Sequence, residues 1–361
     1  MDLKPKRYTR MIRTINSWRG LIAITVVLFH LGEEWVYNYS VSGVVFFFVS
    51  STFLLALRHP FKQVTAREYG RFVVSHAARI YPLHWLALAL LVLMALVFHT
   101  ATVNWGRTML TALLLHEWSP VHEVHYYLNP VSWFLGALLF CYLAYPFVAQ
   151  WIGAWRLRYK VLLTVLYGLV LAAVLLPLNI PQREAIFVNP LSHLLDVFSG
   201  LALFHIYRIL KDRWPRISYG KATLIEVGAL LLLAAFMTVN IVTTWVRPWE
   251  DDVFWHIPVG TVLLAFALLA GQEGAVGRVL LWRPLQWLGG ISFEVFVLHF
   301  WVFQLFNYVV SPIAGHFGLA VYSWLWLSIP LLILISWIVN RYFTRPLFAI
   351  IKRKVQYGQG G

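Results

Sequence analysis

The sequence predicts an all-α, polytopic membrane protein with about ten transmembrane helices plus a short re-entrant or interfacial helix. Three observations predict it. Of 361 residues, 60% are hydrophobic and only 12% are charged, with a mean hydropathy of +0.70. A soluble domain carries roughly a quarter of its residues as charges. Ten apolar runs approach the length of about 20 residues that crosses roughly 30 Å of hydrocarbon. Finally, Lys and Arg gather in alternate loops.

The ten runs cover approximately 15–32, 40–57, 80–98, 130–150, 159–178, 191–210, 222–246, 253–271, 284–306 and 319–341. The first carries Arg19 and His30, and the sixth carries His193, Asp196 and His205. A short apolar piece at 108–116 is too short to span and is expected to be re-entrant or interfacial. Pro82 reads as a first-turn residue of the third span, where its missing N–H costs nothing. Most inter-span loops are short, so neighbouring helices pack antiparallel. The amino-terminal apolar run lacks a small-residue cleavage site and is not expected to be a cleaved signal. No linker divides the chain, so residues 1–361 read as one membrane-embedded domain with a core of about 15–345. Cys141 is the only cysteine, which excludes an intramolecular disulfide.

Charge then sets the sidedness. The first segment, the even-numbered loops and the tail hold 26 of the 29 basic residues; only Arg107, Arg183 and Arg247 fall on the other side. The positive-inside rule places that basic side, with both termini, in the cytoplasm. The opposite face collects Glu33, Glu34, Glu117, Glu123, Glu184, Glu250, Asp251 and Asp252. The formal charge of +14 is therefore topogenic, aided by attraction to anionic membrane lipid, and no nucleic-acid binding is expected.

Ionisable residues inside spans are costly and tend to face a cavity or a partner. His30 lies eleven residues after Arg19, a helical rise of roughly 16 Å. Glu33 and Glu34 follow at i+3 and i+4, the spacings that share a helix face. A histidine oriented by either carboxylate suits general-base catalysis on an alcohol. The same pattern also describes an interfacial histidine beside a solvated acidic loop. Arg71 and Arg79, two turns apart, can present guanidinium groups on one face and grip phosphates bidentately, or can be topogenic charge alone. Glu294 and His299 are five apart in the ninth span, so each is expected to find its partner on another helix. Trp133 reads as an interfacial anchor by default. His99, His116, His122 and His125 crowd one loop, yet no HExxH or other tight metal signature appears, and no metal is expected. No P-loop or nucleophile elbow is present.

At these residues the chain resembles the membrane acyltransferase-3 family. Arg19, Gly20, Phe29 and His30 match its first-span pattern. Gly43, Phe47, Phe48, Ser51 and Phe53 follow the second, with Val45 and Thr52 departing from it. Arg79, Ile80 and Pro82 match the start of the third span, and Leu288, Gly289, Ile291, Ser292, Phe293, Phe296, Leu298 and His299 match the late motif. In the fourth span Trp133 and Tyr142 fit, but Leu138 and Leu139 stand at the family's glutamate positions. The resemblance, from about residue 14 to 345, implies transfer of an acyl group from acyl-CoA, most often acetyl-CoA, to a sugar hydroxyl of a surface polysaccharide or lipid-linked glycan. Joined to the topology, it leads us to expect an enzyme of the plasma (bacterial inner) membrane with catalysis by His30 and Glu33 or Glu34, docking of the donor's phosphates on Arg19, Arg71 and Arg79, and acceptor or oxyanion contacts from Ser51, Trp133, Glu294 and His299. His30 would act as base or carry the acyl group itself. A succinyl donor, a non-glycan acceptor, or a transporter or flippase of a lipid-linked sugar are the competing readings.

Overall fold

A chain crossing hydrocarbon must satisfy its backbone hydrogen bonds internally, which favours helices. The computed structural model describes residues 5–61, 63–316 and 326–357, and among these no strand occurs. The helices, in order, are α1 (Pro5–His30), α2 (Tyr37–Arg58), α3 (Ala66–Phe98), α4 (Trp105–Ala112), α5 (His122–His125), α6 (Trp133–Gly153), α7 (Leu157–Leu175) and α8 (Ile180–Val188). Then come α9 (Leu194–Lys211), α10 (Tyr219–Val242), α11 (His256–Leu268), α12 (Ala275–Leu280), α13 (Arg283–Leu305), α14 (Ser311–His316), α15 (Ser328–Val339) and α16 (Arg345–Tyr357).

Among the described residues, seven segments are long and apolar enough to cross a membrane: Tyr8–His30, Glu34–Arg58, Ala66–Phe98, Trp133–Gly153, Leu157–Leu175, Tyr219–Val242 and Arg283–Val309. The other three of the ten runs take shorter or more polar forms. The sixth is α9, whose first turn holds Asp196 and whose last holds Arg208 and Lys211. The eighth is the apolar segment Val253–Leu268. The tenth is represented by α15, and its residues 319–325 lie outside the described residues. The short apolar piece becomes α4, eight residues whose cap Asn104 accepts a hydrogen bond from Arg107 N.

Pro82 corrects one expectation. It lies deep inside α3, not in its first turn, because that helix starts sixteen residues earlier at a strong cap. Thr65 Oγ1 accepts from Glu68 N at 3.2 Å and donates to the Glu68 carboxylate at 2.9 Å. At 33 residues α3 is about 50 Å long, so part of it overshoots the hydrocarbon. Its arginine-bearing first half is the polar part. The interior proline forfeits one intrahelical hydrogen bond.

α1 packs most extensively against α13 and also against α2. Gly20 and Gly289 set the α1–α13 contact: a Cβ on Gly20 would stand 2.7 Å from Gly289 N. Only glycine lets two backbones approach so closely. Two glycines from distant motifs therefore fix how α1 lies on α13. At one end, α16 packs on α3 and Arg79 sits over the Phe348 ring at 5.3 Å. At the other, Tyr37 donates to Asp251 at 2.8 Å and His122 meets Glu184 at 3.1 Å. These are the basic and acidic ends of the molecule.

Candidate functional site

Three cavities follow α1 from the basic to the acidic end. The first, a vestibule of about 810 Å³, is lined by Arg19, Arg58, Arg71 and Arg79, with Glu68 its only carboxylate. The second, about 350 Å³, shares Arg19, Ser51, Arg79 and Tyr142 with the vestibule and adds Glu294, Asn340 and Arg345. The third, about 360 Å³, is lined by His30, His122, Tyr126 and Trp133. Phe296 borders both the second and the third. Around it, Phe134 stands 4.8 Å and Phe47 6.2 Å away, ring centroid to ring centroid. Phe47 and Phe134 are 5.8 Å apart. Three aromatic rings thus partition the passage.

Arg19 is held at the junction of the first two cavities. Its Nη2 donates to Ser51 Oγ at 2.8 Å and Ser50 Oγ at 3.1 Å. No carboxylate pairs with it among the described residues, so two neutral hydroxyls aim a cation that still lacks a counter-ion. Ser51 in turn donates its proton to Phe47 O at 2.6 Å. That geometry gives Ser51 a holding role. Its single proton is committed, so it is not the oxyanion donor expected from the sequence. Arg71 and Arg79 do share the vestibule with Arg19, all three predicted phosphate ligands in one space.

At the far end, His30 Nδ1 lies 2.8 Å from Val26 O. A carbonyl can only accept, so Nδ1 carries the proton and the neutral ring keeps its lone pair on Nε2. The orienting group is this backbone carbonyl. Glu33 and Glu34, expected to hold the imidazole, do not. The helix that would have put them on its face ends at His30, and Gly32 turns the chain away at φ +91°. Glu33 instead accepts from Trp35 Nε1 at 2.8 Å.

His299 comes beside His30, the two rings 5.0 Å apart. Its Nδ1 donates to Phe296 O at 2.6 Å, and its buried Nε2 has no hydrogen-bond partner. Glu294 is elsewhere. It borders the second cavity and accepts from Asn340 Nδ2 at 2.9 Å. The two residues five apart in sequence thus find different partners, His299 a ring on α1 and Glu294 an amide just beyond α15.

Trp133 is buried, so it is not an interfacial anchor. It packs on Phe187 at 4.7 Å and stacks on His193 at 5.8 Å. His193 is fixed by Asp196 at 2.9 Å on Nδ1 and by Phe187 O at 2.9 Å on Nε2. Asp196 also meets His256 at 3.2 Å, with Asp252 3.8 Å from the same His256 nitrogen. Burial and the nearby Asp196 push the Asp252 carboxyl up to about 6. This buried network braces the wall that carries Trp133.

Glu117 is a second buried carboxyl at this end, 3.2 Å from His116. Burial raises Glu117 to about 8 and lowers His116, which also feels His84 and His125, to about 3. Both are neutral at pH 7, so the contact is not an ion pair. The Glu117 carboxyl packs directly against Gly136 of α6, the helix that lacks the resemblance's glutamate.

Several lining residues were missed in the sequence. Arg58 and Arg345 were read only as topogenic charge. His76, three residues before Arg79 on the same helix, lines the vestibule and was detectable by that spacing. His256, which lines none of the three cavities, follows Asp252 at i+4, but its contact with Asp196 spans 60 residues and has no local signal.

The fold and the passage define an all-α membrane protein with a cationic mouth, an aromatic partition and an imidazole pair. A family model described as an acyltransferase domain matches residues 12–341. The chain belongs to this acyltransferase-3 family. Among curated proteins it is similar to the peptidoglycan O-acetyltransferase OatA of Listeria monocytogenes, 23% identical over 83% of this chain and 50% of that protein. It is also similar to the putative peptidoglycan O-acetyltransferase YrhL of Bacillus subtilis, 24% identical over 87% of this chain and 52% of that protein. The chain thus spans about half the length of these relatives. No solved structure matches it.

Proposed function

We propose that this chain is a membrane O-acyltransferase that carries an acyl group, acetyl foremost, from cytoplasmic acyl-CoA through the passage to a sugar hydroxyl at the acidic end. The observation that carries this is the succession of cavities along α1, with Arg19 at the inner junction and the His30 lone pair in the outer cavity. Family membership and the two O-acetyltransferase relatives support the same reading. The basic loops support a vestibule that opens to the cytoplasm of a plasma (bacterial inner) membrane, with both termini on that side.

Four guanidinium groups against one carboxylate suit the phosphates of a nucleotide-bearing donor. The thioester arm then extends along α1. The roughly 16 Å rise from Arg19 to His30 is the distance it must cover. To pass the partition, the rings of Phe47, Phe134 and Phe296 must move. Their packing keeps water from the thioester in the absence of an acceptor.

In the outer cavity His30 Nε2 takes the proton of the acceptor hydroxyl as its oxygen attacks the thioester carbonyl carbon. A C–O bond forms, the C–S bond breaks, and the proton passes to the departing CoA thiolate. The unpartnered Nε2 of His299, 5.0 Å ring to ring from His30, keeps a lone pair that can accept from the acceptor hydroxyl. Trp133 and Tyr126 supply flat walls suited to a sugar face. An acyl-histidine route uses the same lone pair, and ping-pong kinetics would distinguish it. The acceptor is a hydroxyl of a cell-surface glycan.

The test uses the purified full chain in lipid nanodiscs with radiolabelled acetyl-CoA and a hydroxylated glycan acceptor. Stoichiometric thiol release with labelled acceptor is expected, and His30→Gln should abolish both. Transfer at the wild-type rate by folded His30→Gln protein would overturn the assignment. Neither product from the wild type, with sugar moved across the bilayer instead, would favour a transporter.

A further inference from the structure

Beside the outer cavity stands a cluster that the acyl-transfer chemistry does not use. His122 and His125 sit three residues apart on α5, and Glu184 reaches them from α8. One ligand-capable atom from each of the three lies within 4.8 Å of the others. We propose that His122, His125 and Glu184 form a binding site for a divalent transition-metal ion, zinc by chemistry, at the mouth of the outer cavity.

The state of His125 is the independent observation. It is 0% exposed, and its Nδ1 donates to Ser119 O at 3.1 Å. That bond fixes the tautomer and leaves a lone pair on Nε2, a buried nitrogen with no hydrogen-bond partner. Metal-bound imidazoles are characteristically oriented this way, with the other ring nitrogen donating to a carbonyl. An uncompensated buried acceptor is costly, and a cation would relieve it.

The remaining two ligands are already close to coordination spacing. His122 Nδ1 and Glu184 Oε2 are 3.1 Å apart. Bonds of about 2.0–2.1 Å in a tetrahedron imply ligand atoms roughly 3.3 Å apart. Two imidazoles and one carboxylate are a donor set that zinc accepts while keeping a fourth position open. His122 is 57% exposed and borders the outer cavity, so both an entry path and an open position toward the cavity exist.

The buried Asp196–Asp252–His256 group also places three ligand atoms near one another. It is a weaker candidate: Asp196 is already bonded to His193, and the adjoining space is only about 10 Å³.

A cation in the His122 site would draw the acceptor hydroxyl toward His30 and acidify it as a Lewis acid. That use rests on the acyl-transfer reading, whereas the site itself does not. The test therefore measures metal first. The full chain, purified with a histidine-free tag and stripped with chelator, is titrated with zinc against a chromophoric chelator. One tight site per chain is expected, weakened at least 10-fold by His122→Ala, His125→Ala and Glu184→Gln. Zinc should also raise the melting temperature of the wild type and not that of Glu184→Gln, a change at a half-exposed side chain that leaves the fold intact. The absence of tight binding, binding unchanged in the three variants, or loss confined to Asp252→Asn would each overturn the site. Transfer activity is then assayed with and without zinc. Tight binding with no acyl transfer would sink the enzymatic reading and leave the metal site standing.

Discussion

The two ends of the passage solve opposite problems with opposite materials. The basic end is wide, about 810 Å³, and lined by four long guanidinium groups. The outer end is narrower, about 360 Å³, and its His30 is pinned by a backbone carbonyl. A vestibule that admits a polyanion gains from charge and reach. A site that moves one proton needs one lone pair at one place, so the chain ties the other nitrogen down. On the proposed reading, recognition at one end would be electrostatic and tolerant, and chemistry at the other geometric and strict.

The sharpest way to break this contrast is at the strict end. His30→Ala should lower transfer by about 10²–10⁴-fold while leaving acetyl-CoA binding intact. Parallel loss of binding, read by calorimetry, would merge the two ends into one site. At the tolerant end, Arg79→Ala should raise the acetyl-CoA KM by about 10- to 100-fold, the worth of one charge-assisted hydrogen bond, with kcat little changed. Weakening by added salt should be smaller in that variant than in the wild type.

The partition between the ends gives an intermediate effect. Phe296→Leu thins the ring cluster without emptying it, and should raise acceptor-independent acetyl-CoA hydrolysis several-fold. An unchanged rate of thiol release without acceptor would mean that these rings do not bar water.

A smaller effect concerns Glu117. Its folded pKa, about 8, lies above the ordinary carboxyl value of 4.5, so its protonated form is the one the fold prefers. Its contribution is fully present below about pH 4.5 and is lost as pH rises through 8. Glu117→Gln should therefore flatten the fall in melting temperature between pH 5 and 8.5. A wild-type profile already flat over that window would refute the buried, protonated carboxyl. Least of all, Glu33→Gln should change transfer less than twofold, since its carboxylate serves Trp35.

Much of the passage was legible residue by residue. Arg19, Arg71 and Arg79 meet in one vestibule because a span's length and helical pitch are fixed, so their order along helices translates into depth. Ser51, Trp133 and His299 also border or adjoin the passage, yet not always in the expected role. Ser51 gives its proton to Phe47, and Trp133 is a buried wall rather than an anchor. The pairing of His30 with Glu33 or Glu34 failed because i+3 and i+4 apply only while the helix continues. Pro82 was misplaced for the complementary reason: the cap at Thr65 lies in a polar stretch that hydropathy does not count as span.

Composition, run length and the placement of basic residues by themselves determined a helical membrane protein and the direction in which it is expected to lie, because these are local or additive properties of the chain. Which nitrogen of His30 keeps its lone pair, which ring stands beside it, and how the three cavities follow one another were decided only in three dimensions. Those features depend on where one helix ends and how closely two others approach, as Gly20 meets Gly289, and no single segment of sequence contains that distance.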